Sequence, residues 1–131
     1  MGWRSKTRAA IRAYPALKRK ERELRELTII AAYGDEPRSG QTNNNARTIE
    51  AAALRQLPKD EQRALDAVSA AIQTTTRYRN GDLRVKLIDL IYWRESHTLT
   101  GAAMAIHISG QTASRWHNGF IELVDAYMRV L

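Results

Sequence analysis

Apolar residues recur at helical spacing in segments that cover most of the chain, and glycine and proline are few. This pattern predicts an all-α protein. Its clearest segment is LRVKLIDLIYWRE at residues 83–95, and the helix is predicted to start at Gly81 or Asp82, where the Asn80-Gly81 pair breaks the chain. An apolar face on this predicted helix is formed by Leu83, Leu87, Leu90 and Ile91, and widened by Val85, Ile88, Tyr92 and Trp93. A preceding helix is predicted from Lys59 to about Tyr78, with Leu65, Val68 and Ile72 on one face.

The N-terminal part of the chain predicts a long, highly charged helix. Pro15 suits the first turn of a helix because it lacks an N–H, and Gly34 suits the end. Its apolar positions form one narrow stripe, which consists of Leu17, Leu24, Leu27 and Ala31. Such a stripe cannot form a core alone, so we expect it to pack on the rest of the protein or on a second copy.

Polar turn-forming residues separate this helix from the rest of the chain. Residues 34–47, GDEPRSGQTNNNAR, contain almost no apolar side chain and predict an exposed, mobile loop. Thr48 is placed to cap a short helix that ends at Leu57, before Pro58. We therefore expect three parts: a basic N-terminal helix over residues 1–34, a polar flexible loop over 35–47, and a helical domain over 48–131.

The segment Thr98–Phe120, TLTGAAMAIHISGQTASRWHNGF, predicts a helix-turn-helix. Thr98 or Thr100 caps a first helix over residues 101–106, and Ser109 caps a second helix from Gly110 to about Phe120. The turn falls on His107 and Ile108, and we expect His107 to take a strained positive φ. With the helix before it, the motif forms a tri-helical module from about residue 81 to 131, in which residues 122–131 continue the last helix. The positions expected to bury apolar atoms are Ala102, Ala103, Ile106, Ile108, Ala113 and Trp116.

The opposite face of the second helix carries side chains that can hydrogen-bond to base edges or phosphates. The candidate DNA-binding residues are Ser109, Gln111, Thr112, Ser114, Arg115 and Asn118. Glutamine and asparagine pair with adenine in bidentate geometry, and arginine pairs with guanine. Arg115 is the one charged residue of this helix before Glu122. For any one of these positions the alternative is an ordinary solvated helix face.

The positive charge of the chain is placed unevenly. The net charge is +7, and residues 1–26 hold nine Lys/Arg against three Asp/Glu. Residues 81–131 hold five of each, so the predicted DNA-reading half is formally neutral. Phosphate contacts would then come from local clustering, from dimerisation or from the basic N-terminal run between Arg4 and Arg25. That run can contact DNA phosphates, or form the polar surface of a helix that contacts a second copy or RNA polymerase. The alternative is a charged helix that is simply solvated.

Other classes of function find no support in the sequence. The chain has no cysteine, which excludes disulfides and cysteine-based zinc sites. His97, His107 and His117 are ten residues apart, which is not a ligand spacing, so no metal site is predicted. The absence of a nucleophile–base pattern and of a glycine-rich phosphate loop predicts a protein that is not an enzyme and holds no cofactor. With no membrane-spanning apolar run and no signal-peptide pattern, we expect a cytoplasmic, nucleoid-associated protein.

Residues Leu83 to Ile121 resemble phage late-gene activators of the RinA type and, more broadly, ArpU-like regulators and those similar to region 4 of sigma factors. The matching residues are LIDLIYW at 87–93, Thr98-Leu99, and ISGQTASRWH at 108–117. The resemblance extends from about Thr48 onward and is weaker over the N-terminal helix. It implies a small activator that binds a phage promoter region and switches on packaging and structural genes. Only positions 109–118 are carried over as recognition-helix residues.

The hypothesis from the sequence is therefore a DNA-binding transcriptional regulator, expected to act as a dimer. Its expected partners are double-stranded DNA and, through another surface, RNA polymerase. One alternative is a phage terminase small subunit, which uses a helix-turn-helix to bring packaging DNA to a motor. The other is a helical interaction or assembly factor without DNA binding.

Overall fold

The computed structural model describes residues 2–33 and 56–131, and within these ranges the chain is helical and contains no strand. The α-helices are α1 Trp3–Tyr33, α2 Lys59–Thr76, α3 Gly81–Ile88, α4 Leu99–Ala105 and α5 Gly110–Val130. A π-helical segment, Asp89–Trp93, continues α3. The all-α prediction is confirmed. The predicted loop at 34–47 and the predicted cap at Thr48 lie outside the described residues.

The chain forms two compact units. The first unit comprises residues 1–15 and 63–131, and the second comprises residues 16–62. Within the second unit, Lys20 forms a 3.2 Å ion pair with Glu61, and the Gln62 amide donates a 3.0 Å hydrogen bond to Glu21. Leu17 and Leu57 are the buried apolar side chains described in that unit. The first unit contains the larger core and all the candidate residues of α5.

The core of the first unit consists of two apolar clusters. One contains Ala10, Ile11, Ala67, Val68, Ala71, Ile88, Tyr92, Phe120, Ile121 and Val124. The other contains Leu87, Leu90, Ala102, Ala103, Ile106, Ala113 and Trp116. We call them the α1–α2 cluster and the α4–α5 cluster. The segment from α3 through the π-helix contributes to both, since Ile88 and Tyr92 enter the first and Leu87 and Leu90 enter the second.

The helix predicted from Gly81 to Glu95 is not α-helical throughout. After Ile88 it widens into the π-helical segment, and the Arg94 amide bonds to the Asp89 carbonyl five residues back at 2.8 Å. Glu95 then takes a positive φ of 51° and ends the helix. The sequence places Leu83 on the apolar face, but 38% of its surface is exposed, and the buried large side chains of this helix begin one turn later at Leu87.

The start of the N-terminal helix differs from the prediction. Helix α1 begins at Trp3, so Pro15 lies inside it and not in its first turn. An interior proline has no N–H to donate to the carbonyl four residues back, which here belongs to Ile11. The indole Nε1 of Trp93 donates to that carbonyl at 2.9 Å and replaces the missing bond. Because Ile11 is fully buried, this tertiary bond and the packing around it hold the helix across a residue that would otherwise break it.

We expect Trp93→Phe to lower the free energy of unfolding by about 1–3 kcal/mol through the unpaired Ile11 carbonyl, in addition to any loss of packing. In a Pro15→Ala background, the new N–H at position 15 can bond to that carbonyl. Trp93→Phe should then lower the free energy of unfolding by less. Urea denaturation of the wild type, the two single variants and the double variant measures the difference. Equal losses in the two backgrounds would contradict this assignment.

Gly81 allows α2 and α3 to meet closely. A Cβ at this position would lie 2.5 Å from the Thr75 carbonyl oxygen and 2.7 Å from that of Thr76. Both contacts are with backbone, which cannot turn away as a side chain can. The preceding residue, Asn80, has a φ of 59° and completes the tight corner that the Asn80-Gly81 pair predicted.

Gly81→Ala should therefore destabilise the protein by about 1–3 kcal/mol, since the backbone at the corner must move apart. Gly119→Ala is the matched control, because a Cβ at Gly119 in α5 meets nothing within 4 Å. That control should stabilise the helix by about 0.5–1 kcal/mol. Thermal and urea unfolding compare the two variants, and a neutral Gly81→Ala would be evidence against the close contact.

Candidate nucleic-acid interface

Helices α4 and α5 are joined by a tight turn whose caps are the predicted ones. The Thr98 side chain accepts a 3.1 Å hydrogen bond from the Gly101 amide, so Thr98, not Thr100, begins α4. Ser109 caps α5 by accepting from the Thr112 amide at 3.1 Å. Between the helices, His107 has a φ of 60°, as expected for this position. The caps fix where each helix starts, and the turn fixes the angle between them.

Small side chains let the two helices approach closely. Ala102 and Ala113 are fully buried, and Ala103 is 2% exposed. Trp116 covers the α4–α5 cluster, and Ile108 in the turn packs against it while partly exposed. Each of the six apolar positions expected to be buried or packed in this segment is found in or against this cluster.

The outward face of α5 carries three of the six candidate residues. Gln111, Arg115 and Asn118 are spaced by four and three residues, so they share one side of the helix, and all three are exposed. The opposite side is buried along its length, from Ala113 to Val124. This face is polar, and its first two turns carry one charged side chain, that of Arg115.

The other three candidates form the cap and the flanks of α5. The Ser109 hydroxyl donates to the Thr112 hydroxyl at 2.9 Å, so the two side chains form a single cap at the start of α5. Thr112 and Ser114 are half-buried on the flanks of the outward face. The structure thus brings all six candidates together in the N-terminal half of α5, with Ser109, Gln111, Arg115 and Asn118 exposed and Thr112 and Ser114 half-buried.

An arginine that sequence reasoning missed lies on one flank of α5. The Arg84 guanidinium of α3 lies over the Trp116 ring at 5.1 Å and over the Tyr78 ring at 5.4 Å. Its Nε donates to the Arg79 carbonyl at 3.0 Å, which fixes its position further. A cavity of about 360 Å³ opens beside it, with Gly119 among its lining residues. No signal in the sequence marks Arg84, because its partners come from two separate parts of the chain, the turn before α3 and helix α5.

The opposite flank of α5 carries a buried polar pair. Tyr92 Oη and His117 Nε2 are 2.7 Å apart, and their rings are stacked with centroids 5.6 Å apart. Burial lowers the pKa of His117 from its ordinary value, and the positive charge of Arg8 lowers it further, whereas a side-chain hydrogen bond with Asn118 opposes this shift. Burial also raises the pKa of Tyr92, although Arg8 and Arg12 oppose this. Both groups are therefore held in their neutral forms.

Folding changes the charge balance that the sequence suggested. Residues 81–131 are neutral, but the compact unit to which they belong also includes residues 1–15 and 63–80. That whole unit holds twelve Lys/Arg against six Asp/Glu, a net charge of +6, whereas residues 16–62 hold nine against eight. The positive charge of the protein is thus concentrated in the unit that contains α5.

Comparison with protein-family models, with curated proteins and with solved structures finds no match to this chain. Within residues 2–33 and 56–131, no group of three metal-ligating side chains is present. No helix among the described residues has the length and hydropathy needed to cross a bilayer.

The state of His117 predicts a pH dependence of stability. Because its pKa is lower in the folded protein than the ordinary value of 6.5, the unfolded chain takes up a proton first as the pH falls. The free energy of unfolding should be fully retained above about pH 6.5 and decline below it, until the folded-state pKa is reached. The decline is at most about 1.4 kcal/mol per pH unit.

Urea denaturation at about pH 7.5 and 5.5 measures this effect. The difference between the two pH values should shrink in His117→Gln and persist in His97→Gln, whose histidine is exposed. An unchanged pH difference in His117→Gln would show that this side chain is not the titrating group.

Proposed function

We propose that this chain is a sequence-specific DNA-binding transcriptional regulator that places α5 in the major groove. The observation that carries the proposal is the outward face of α5, where the exposed residues Gln111, Arg115 and Asn118 share one side of a helix whose other side is buried. In this proposal the segment from α3 to the π-helix, together with α4 and α5, forms a tri-helical helix-turn-helix module, and α5 is its recognition helix.

The positions of the candidate residues along α5 suit this role. The major groove admits one α-helix, and recognition helices contact base edges mainly through their N-terminal residues. Gln111 and Arg115 lie in the first two turns of α5, and Asn118 lies in the third. The first turn contains no acidic residue, so nothing there repels a phosphate from the helix N-terminus. Ser109 and Thr112, which form the cap, are placed for backbone contacts, and half-buried Ser114 lies beside the base-reading side chains.

The electrostatics supports the same assignment. The unit that contains α5 carries a net charge of +6, and arginines lie on both flanks of α5: Arg84 lies over the Trp116 ring, and Arg4 lies near Glu122 and acts electrostatically on His117. Phosphate contacts supply much of the affinity of DNA-binding proteins, while base contacts supply the specificity. In this proposal the positive flanks contact phosphates, and the polar centre of the face contacts the bases.

The finer assignment is to a phage late-gene activator of the RinA type, and it rests on the sequence resemblance over residues 87–117. Under this proposal the protein acts on the host nucleoid and binds as a dimer, since two-fold symmetry matches two half-sites. RNA polymerase would contact a surface other than α5. Light scattering on the DNA complex tests the dimer, and a ring of eight or more subunits would instead favour a terminase small subunit.

One observation favours a second candidate function, that of a helical assembly factor that binds no DNA. In the last turns of α1, Ile29 is 50% and Ile30 is 63% exposed, and apolar side chains at such exposure are suited to a protein partner. This candidate needs no role for Gln111 or Arg115, so mutation of these two residues separates it from the proposal.

The test begins by selecting short duplexes that the protein binds from a random-sequence pool. Against the selected duplex, Gln111→Ala and Arg115→Ala should each lose about 1–3 kcal/mol of binding free energy and relax the base preference at one position. Fluorescence anisotropy gives both affinities, and repeating the selection with each variant gives the preference. Arg129→Ala, which removes an exposed arginine near the other end of α5, is the matched control and should keep the selected sequence.

Two results would overturn the proposal. One is folded protein that binds no duplex even at about 50 mM salt, where phosphate contacts are strongest. The other is a variant at Gln111 or Arg115 that selects the same sequence with unchanged affinity.

A further inference from the structure

The basic N-terminal run divides into two parts at Pro15. Before Pro15, α1 carries Arg4, Lys6, Arg8 and Arg12 and no acidic residue, and this part belongs to the same compact unit as α5. Beyond Pro15, residues 16–26 hold five basic and three acidic residues, and Glu21 binds Arg25 at 3.5 Å within the second unit. Most of the excess positive charge of the run, +4 of +6, therefore lies in the unit with α5.

Three of these arginines share one side of α1. Arg4, Arg8 and Arg12 recur every four residues, beside the buried positions Thr7 and Ile11 that anchor the helix in the core. At a rise of 1.5 Å per residue, the row from Arg4 to Arg12 is about 12 Å long. Along a duplex, one strand places a phosphate about every 3.4 Å of axis, so a row of this length can meet several phosphates.

Contacts within the unit hold the row next to α5. Arg4 Nη2 lies 3.9 Å from Glu122 Oε1 on α5, and the Arg12 guanidinium lies 5.5 Å from the centroid of the Tyr92 ring. Arg8, between them, acts electrostatically on both Tyr92 and His117. Tyr92 in turn bonds to His117 of α5, so the whole row is tied to the helix proposed to read the bases.

These side chains keep the capacity to bind an anion. The Arg4 side chain is 48% exposed and Arg12 is exposed, so both guanidinium groups are accessible. The Arg8 Nε is buried and has no hydrogen-bond partner among the described residues. A buried donor without a hydrogen-bond partner costs free energy, and a nearby anion would interact favourably with the positive charge of this guanidinium. Arg4 also offsets Glu122, the acidic residue that follows Asn118 on α5.

We propose that Arg4, Arg8 and Arg12 form a phosphate-binding row that contacts the DNA backbone beside the major groove occupied by α5. This inference rests on the proposed function. It names the residues that supply the phosphate contacts expected to be few in the formally neutral segment 81–131. Arg4 and Arg12 make the accessible contacts, and Arg8 holds its charge between them. The row reads no bases, so it strengthens binding to every sequence alike.

The experiment compares two double variants that remove the same charge from the same helix. Arg4→Gln/Arg12→Gln removes two arginines of the row, and Arg19→Gln/Arg22→Gln removes two exposed arginines beyond Pro15. Binding to a random-sequence duplex is measured by anisotropy between about 50 and 200 mM salt. The first variant should bind roughly 10- to 100-fold more weakly at 0.1 M salt, and its log–log salt slope should fall by about 1.8. The second should change much less.

Further measurements separate a lost contact from a lost fold. Thermal unfolding monitors stability, and Arg4→Lys/Arg12→Lys keeps both charges, so it should retain most of the salt slope whatever happens to packing around Trp3 and Tyr92. The ratio of affinities for selected and random duplexes should stay at the wild-type value in all these variants, since phosphate contacts do not discriminate sequence.

The outcomes distinguish this inference from the proposed function. If the wild type binds and discriminates duplexes but Arg4→Gln/Arg12→Gln keeps the wild-type slope, the row is not a phosphate contact and the regulator assignment stands. Equal losses of affinity in the two double variants would show that net charge alone sets the binding, and would also overturn the assignment of the row as a phosphate contact. If the wild type binds no duplex, both proposals fail.

Discussion

The first unit depends on one short segment that faces two cores at once. Leu87 and Leu90 are buried against α4 and the first turns of α5, while Ile88 and Tyr92 are buried against α1, α2 and the middle of α5. A helix with two buried faces has little freedom to rotate or slide, because a move that relieves one side disrupts the other. Every element that positions the outward face of α5 packs against this segment. The π-helical turn at Asp89–Trp93 forms the C-terminal part of this segment, and such turns often occur at functional sites.

Local patterns were sufficient to predict the caps, the turn and the two helices between Thr98 and Val130, but not the π-helical turn at Asp89–Trp93. Caps such as Thr98 and Ser109 act on amides three residues away, so their roles can be inferred from the sequence. The positive φ of His107 follows from the same logic, because a turn this short leaves few conformations. The polar face of α5 is likewise a matter of spacing along a single helix.

The features that the sequence did not predict depend on tertiary contacts. Pro15 is a good first-turn residue, and only the distant Trp93 indole, which bonds to Ile11, shows why a helix can run through it. The position of Arg84 depends on two aromatic rings from other elements. The charge of the unit with α5 was underestimated for the same reason, since residues 1–15 pack with residues far along the chain.

The bond between Trp93 and the Ile11 carbonyl also bears on the order in which the protein can form during synthesis. These residues are 82 positions apart. At about 5–20 residues per second, a ribosome adds Trp93 roughly 4–16 seconds after Ile11, and the α5 residues of the same core follow later still. Until then the N-terminal helix contains a proline whose opposing carbonyl has no tertiary donor, and Ile11 has no complete core to enter. A nascent chain interrupted before Trp93 would therefore leave the row of arginines unanchored.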